Sequence, residues 1–386
     1  MSNVKRLLTI DLPKGQSAFL WGPRKTGKSY YLKKRFANSI LYDFLKTDLF
    51  LKFSKTPSML REQLLARDKS FTQGPVILDE VQKIPQILDE VHWLIENTDM
   101  QFILCGSSAR KLKRGQANLL GGRAWRYEMF PFVFHELKDP NLLHILNHGL
   151  IPDHYFTNNP KKALKAYIQD YLKEEVFNEG LTRNIPAFSR FFDAMAFSHS
   201  ELTNYSNIAR DCAVDSKTVK EYYQILVDTL LGMMVEPFNK RQNRQVITRA
   251  CKFYLFDVGV AGAIVHRQVD CERGEVFAKA FEHFIFMELA AHRSYTDLDY
   301  KLNFWRTKSG IEVDFVLGNG QVAIEVKGSN MVLPRDLKPL STFIDEYKPQ
   351  RAIVVCNEQS ERIQGSIEIM PYWVFFEKLW AGDIIS

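Results

Sequence analysis

Trp21-Gly22-Pro23-Arg24-Lys25-Thr26-Gly27-Lys28-Ser29 decides the architecture of this 386-residue chain. It meets G-x-x-x-x-G-K-[ST] at every fixed position. Its flanks supply the context that pattern needs, since apolar Ser17–Trp21 reads as a buried strand and Lys28–Ala37 as a helix. The glycines let the backbone curl so that its N–H groups point at phosphates, and the helix N-terminus adds positive potential. Lys28 then reaches the β- and γ-phosphates, and the Ser29 hydroxyl ligates Mg²⁺. Gly22, Pro23, Arg24, Lys25, Thr26, Gly27, Lys28 and Ser29 are therefore the expected ATP-binding residues. A simple glycine turn between strand and helix would leave the lysine–serine pair unexplained.

About fifty residues on, Val76-Ile77-Leu78 delivers Asp79 and Glu80. Open α/β sheets bind ligands at the carboxyl ends of their strands, where these two acids fall. Asp79 is expected to hold Mg²⁺ and Glu80 to polarise the attacking water. Alone, two acids after a strand also describe a solvated turn; the spacing from the phosphate loop, with Gln82 and Pro85 following, favours the catalytic assignment. A third strand, Phe102–Cys105, runs into Gly106-Ser107-Ser108, where Ser107 is the expected γ-phosphate sensor. Arg110, Arg114, Arg123 and Arg126 follow. Arg123, in Gly121-Gly122-Arg123, is the chosen candidate for a cation that stabilises transition-state charge, within the chain or across a subunit interface.

Further strands are expected at Ser39–Phe44, Pro75–Asp79, Gln101–Gly106 and Trp125–Phe130, and a helix at Ile87–Asn97. This alternation predicts a parallel sheet covered by helices. The stretches Gly22–Ser29, Leu78–Gln82, Gly106–Leu112, Asn118–Arg123 and Met129–Phe132 with Glu136-Leu137 resemble the prokaryotic predicted AAA-superfamily ATPases that carry a C-terminal domain of unknown function. The resemblance implies a P-loop AAA-like core, a helical and winged-helix middle and a C-terminal α/β restriction-endonuclease-like domain. The expected boundaries are 1–155, 156–250 and 251–386.

In the middle region Leu202–Arg210 reads as the first helix of a helix-turn-helix, with Val214-Asp215-Ser216 as turn and N-cap. Ser216–Val227 would be the helix able to enter a groove, with Lys217, Thr218, Lys220 and Tyr222 exposed. Glu221 and Asp228 dilute its positive field, which leaves a protein-docking role open beside DNA. Asn239–Arg249 reads as a basic loop or hairpin.

Toward the C-terminus, Ile311–Leu317 and Gln321–Lys327 flank Gly318-Asn319-Gly320 and read as a hairpin. Asp314, Glu325 and Lys327, with Glu282 on a preceding helix, resemble the D…E-x-K centre of restriction-endonuclease-like folds. There Asp314 and Glu325 would bind Mg²⁺ and Lys327 would orient water or stabilise phosphate charge. D-x₁₀-E-x-K is a weak pattern alone, but these acids lie among apolar Val313, Phe315, Ile324 and Val326.

Composition sets the limits. Lys and Arg exceed Asp and Glu by 51 to 45, an excess too small to establish nucleic-acid binding. Five scattered cysteines without CxxC spacing exclude a zinc pattern and fit a reducing cytoplasm. No apolar run is long enough to span a bilayer, and no secretory signal stands at the N-terminus. The expected protein is a cytoplasmic Mg²⁺-dependent ATPase whose nucleotide state controls a nucleic-acid-directed C-terminal half. The alternative is a slow nucleotide-dependent regulatory switch or interaction module with an inactive nuclease-like domain. DNA and a homo-oligomer are open as partners.

Overall fold

The computed structural model describes residues 4–67, 74–107, 120–172, 185–239 and 250–386. Ser108, Arg110, Arg114 and most of the basic stretch expected as a loop, 240–249, lie outside the described residues. Among those described, no helix is long and apolar enough to cross a membrane. The chain forms two compact units. Among the described residues, one is Lys5–Phe130 with Asp228–Leu231; the other is Pro131–Val227 with Gly232–Ser386 and Val4.

The first unit is built on five parallel strands: β1 (Ser17–Trp21), β2 (Leu41–Asp43), β3 (Val76–Asp79), β4 (Phe102–Gly106) and β5 (Ala124–Glu128), in the order β2-β3-β4-β1-β5. β1, β3 and β4 are buried along their whole length, as strands covered on both faces must be. That is why they read as continuous apolar runs. Helices α1 (Lys28–Arg35), α2 (Thr47–Lys55), α3 (Met59–Leu65) and α4 (Ile87–Asn97) belong to the same unit. α4 buries Ile87, Leu88, Val91 and Leu94 on one face and carries Asp89 and Glu90 in its first turn, where the helix dipole favours acids. Phe19 stacks on Trp21 at 5.1 Å within a core that also holds Phe44, Phe53, Leu78 and Leu104. Since all five strands are parallel, their carboxyl ends share one edge, and chemistry can gather there.

In the second unit, α5 (Ile185–Phe197), α6 (Tyr205–Cys212) and α7 (Ser216–Asp228) lead into an eight-stranded mixed sheet. Its order is β12-β13-β11-β10-β9-β8-β6-β7, from β6 (Gly232–Pro237), β7 (Lys252–Leu255), β8 (Leu302–Arg306), β9 (Glu312–Leu317), β10 (Val322–Lys327), β11 (Arg351–Cys356), β12 (Arg362–Gln364) and β13 (Ile367–Pro371). The helix–turn–helix lies close to its expected place. Ala213, left-handed at φ 54°, ends α6, and Asp215 caps α7 by accepting the Thr218 N–H at 2.8 Å. The strands after it do not form a free wing. β6 pairs antiparallel with β7 but parallel with β8, which ties the expected middle region into the C-terminal sheet. By contacts the chain groups into two units that change over at Phe130–Pro131, and the described part of 156–250 falls mostly within the second.

One expected groove reader is corrected. Tyr222 is buried, with its ring 5.0 Å from Phe188 and 5.1 Å from Phe191, because it falls on the apolar stripe with Val219, Tyr223 and Leu226. Lys217 and Lys220 are exposed, and Lys220 lies over the Tyr205 ring.

The 22-residue α8 (Gly274–Tyr295) runs through this unit and buries Glu288 at 1% exposure. Its carboxylate accepts the Trp380 indole N–H at 2.6 Å and the Phe134 N–H at 3.1 Å. Burial outweighs both donors and raises the carboxyl from 4.5 to about 8. Folding therefore retains a proton there, so the associated stability is full below about pH 4.5 and is lost as pH rises through about 8. Glu282 and Asp257, raised to about 7 and about 6, act in the same direction at lower pH. The thermal midpoint is expected to fall above neutrality, and Glu288→Gln to flatten the last part of that fall, between about pH 7 and 9. An unchanged slope in scanning calorimetry would remove Glu288 from the account.

Candidate nucleotide site and C-terminal acidic centre

Gly22 follows β1 directly. An added Cβ there would stand 2.4 Å from the Met129 carbonyl oxygen, so a side chain does not fit. Gly27, at φ 93°, opens α1 in a conformation that costs other residues strain. Thr26 is fully buried and donates to the Pro23 carbonyl at 2.8 Å, closing the loop on itself. Arg6 braces it from behind, with one guanidinium nitrogen on the Thr26 carbonyl at 3.0 Å and the other on that of Phe130. Lys28 is buried and donates to the carbonyls of Gly22 at 2.7 Å and Pro23 at 2.9 Å.

β3 brings the acids to the same edge. The Ser29 hydroxyl donates to Asp79 Oδ2 at 2.6 Å, although 50 residues separate them. Asp79 Oδ1 accepts the Glu80 N–H at 3.1 Å. Glu80 is left-handed at φ 57°, an uncommon conformation for a residue other than glycine and one often found where a side chain must be aimed. Gln82 donates to Glu80 Oε2 at 2.6 Å and to Ser107 Oγ at 3.2 Å, so it joins the ends of β3 and β4. Ser29, Asp79, Glu80 and Ser107, which stand in separate stretches of the sequence, thus form one hydrogen-bonded chain with Gln82 as an added member. Gln82 stood in the sequence beside the acid pair; its bridging role depends on β4 lying next to β3.

Gly106 makes room for that bridge. A Cβ there would meet Gln82 Oε1 at 2.2 Å and the Trp21 ring at 2.8 Å. Gly106→Ala is expected to push Gln82 off Glu80 and to cost about 1–3 kcal/mol by overpacking. Denaturant unfolding checks this, and an unchanged midpoint would show that the site yields.

Arg123 falls elsewhere. Its carbonyl accepts the N–H of Ser17, the first residue of β1, and its guanidinium pairs with Glu96. It therefore sits at the amino edge of the sheet, and a five-residue strand separates that edge from the phosphate loop by about 17 Å. Arg123 is thus not brought together with the phosphate loop of its own chain. The sequence motif could not reveal which edge the residue occupies, because that follows from β5 running parallel to β1.

In the second unit, Glu282, Asp314, Glu325 and Lys327 are brought into one cluster. Asp314 on β9 accepts the Val326 N–H at 2.8 Å. Glu325 on β10 is buried; its Oε1 accepts from Lys327 at 2.6 Å, while Oε2 has no hydrogen-bond partner. The hairpin between them has glycines at positive φ at both 318 and 320. Three further residues join. Lys252 on β7 is 4% exposed, pairs with Glu312, and lies 3.5 Å from Glu282. The Tyr254 hydroxyl donates to Glu282. Burial raises the carboxyls of Glu282, Asp314 and Glu325, with the Asp314 charge pushing the two glutamates further the same way. The Glu282, Asp314 and Glu312 charges hold Lys252 protonated against burial. The period-two pairs Glu312/Asp314 and Lys252/Tyr254 were visible in sequence as shared strand faces, but nothing local tied β7 to β9. Among the described residues, no three His, Cys, Asp or Glu are grouped closely enough to hold a metal ion between them.

Residues 14–138 match the AAA domain family; 140–270 and 277–375 match two domains of unknown function, DUF8612 and DUF4143. At 23% identity over 312 residues, the chain is similar to uncharacterized proteins of Mycobacterium bovis and Mycobacterium tuberculosis, across 77% of this chain and 68% of each relative. The solved structure of Aeropyrum pernix ORC1 in complex with DNA aligns over 65% of this chain and 86% of that one. Its identity is 12% and its TM-score 0.25, too slight a likeness to bear on the fold. With the AAA match and the loop geometry together, the first unit is an AAA-type nucleotide-binding ATPase core.

Proposed function

We propose that the chain is an Mg²⁺-dependent ATPase whose nucleotide state controls a nucleic-acid-directed C-terminal half. The observation that carries this reading is the linked set Ser29–Asp79–Glu80–Gln82–Ser107 at the carboxyl edge of the sheet. The amides of Gly22–Ser29 receive the phosphates of ATP, and Lys28 exchanges its two loop carbonyls for phosphate oxygens. The Ser29 hydroxyl and Asp79 carboxylate are hard oxygen donors already within 2.6 Å of each other, a donor set that suits Mg²⁺. Bound there, Mg²⁺ neutralises phosphate charge. Glu80 accepts the proton of the attacking water, with Gln82 fixing its carboxylate, and Ser107 registers the γ-phosphate. Arg123 serves only across an interface between copies.

The C-terminal cluster supports the nuclease-like half of this reading. Glu325 Oε2, buried and without a partner, is the kind of oxygen a cation satisfies. Mg²⁺ is held by one or two carboxylates with water completing its shell, so Asp314 and Glu325 suffice without a third protein ligand. A second reading, a slow regulatory switch with an inert nuclease-like domain, is favoured by the two lysines seated among those acids. Phosphate release from ATP with Mg²⁺ decides, measured in single-turnover and steady-state regimes with and without duplex DNA. Hydrolysis that responds to DNA is expected. No release above background overturns the ATPase, and release indifferent to DNA overturns the nucleic-acid half.

A further inference from the structure

The second unit also holds a cavity of about 500 Å³ whose walls are part basic and part apolar. That volume suits a small molecule better than a length of chain. Helix Pro160–Ala166 and its continuation supply both characters. Lys161 and Lys165 recur at i and i+4, and Leu164 and Ile168 recur at the same interval beside them. Ile264, at the end of helix Val258–Ile264, extends the apolar wall. Arg267 is the third cation. Gly262 makes room for it, since a Cβ there would stand 2.8 Å from Arg267 Nη2. That nitrogen donates to the carbonyls of Leu146 at 3.1 Å and Val258 at 2.9 Å, while Nε is shut off from solvent and makes no hydrogen bond. Asn147 holds the same strap in place, donating to the Val269 carbonyl and accepting its N–H, both at 2.8 Å.

The nearby acids leave these cations in excess. Asp257 is the carboxylate whose charge Arg267 feels, but its oxygens accept the N–H groups of Leu150 at 2.7 Å and Val260 at 2.9 Å. Burial outweighs its help and lowers the guanidinium from 12.5 to about 10. Asp193 is exposed in the wall, and among the described residues it forms no ion pair with Lys161, Lys165 or Arg267. Lys161 donates only to the neutral Gln268 amide, at 3.1 Å. Burial and the His144 and Lys161 charges all lower the His148 imidazole, so that ring adds a neutral polar face. We propose that this cavity binds a small phosphate monoester with an apolar or aromatic body, its phosphate among Lys161, Lys165 and Arg267 and its body against Leu164, Ile168 and Ile264. A phosphate dianion can meet several cations at once, as a single carboxylate does less well. A bare inorganic ion would leave the apolar wall in contact with water. The site belongs to the second unit alone and does not depend on the ATPase reading.

Phenyl phosphate is the probe, because it carries both halves of this chemistry without the base and sugar of a nucleotide. It is titrated by calorimetry into the full chain carrying Lys28→Ala, which removes the ammonium of the phosphate loop as a competing site. One saturable site is expected, with benzoate and inorganic phosphate each weaker by about tenfold or more, as the loss of one charged or apolar contact implies. Lys161→Ala combined with Lys165→Ala, both exposed positions, is expected to weaken phenyl phosphate by about 10–10²-fold. Arg267→Gln should do the same; if that variant fails to fold by circular dichroism, the lysine pair decides alone. No saturable binding, or binding indifferent to the lysine pair, overturns the site. Benzoate bound as tightly as phenyl phosphate overturns the phosphate class, and inorganic phosphate bound as tightly overturns the apolar body.

Discussion

Glu80→Gln is expected to leave ATP binding intact and to slow hydrolysis by about 10²–10⁴-fold, the usual worth of a positioned general base. Glutamine has the same shape, so the left-handed backbone at residue 80 and the packing around β3 need not change. Its amide oxygen can still accept from Gln82, and Asp79 Oδ1 can still accept the residue-80 N–H. The phosphate loop and the Ser29–Asp79 pair are untouched. What disappears is the basic oxygen that takes the proton from water. The loss should thus fall on the chemical step, in single-turnover phosphate release, and not on the dissociation constant from calorimetry. Turnover at the normal rate would remove Glu80 as the base and direct attention to another group at the same edge.

How much of this was readable beforehand follows from how local each feature is. The phosphate loop is a strand-turn-helix unit whose glycines are demanded within a few residues, and β1 lies where its apolar run put it. β3 and β4 were placed to within a few residues, because burial on both faces leaves an unbroken apolar signature, whereas the edge strands β2 and β5 lie near their expected places though only partly buried. Ser29, Asp79, Glu80 and Ser107 follow, since in a parallel sheet each sits just past a strand's carboxyl end. Arg123 takes the opposite edge for the same reason reversed: it precedes its strand, and only the direction of β5 fixes which edge it takes. The cluster around Lys252 was half legible. Asp314, Glu325 and Lys327 belong to one hairpin, whereas Lys252 and Tyr254 arrive on β7 through its pairing with β6, a long-range match that no local pattern encodes. Tyr222 was assigned to the surface on chemistry alone, while its spacing from Val219 and Leu226 already placed it inward.

Lys28→Ala should act on binding where Glu80→Gln acts on turnover. The ammonium is expected to contact two phosphates, and hydrogen bonds to charged groups contribute about 1.5–3 kcal/mol each. Their joint loss weakens ATP by about 10²–10⁴-fold. Without nucleotide the same ammonium donates to the Gly22 and Pro23 carbonyls, which it keeps turned toward itself. Removing it takes that donor from the Gly22 carbonyl and leaves the Pro23 carbonyl with the Thr26 hydroxyl, so some affinity is lost through the shape of the loop. Lys28→Arg separates the contributions: it restores charge and donors, but its planar fork does not match a seat formed by the Gly22 and Pro23 carbonyls for a compact ammonium. Calorimetric titration of ATP with Mg²⁺ is then expected to rank wild type far above Lys28→Arg, and Lys28→Arg above Lys28→Ala. All three should share one thermal midpoint to within a few degrees, because the sheet core lies behind the loop and not within it. Wild-type affinity in Lys28→Ala would mean that the loop amides alone hold the phosphates.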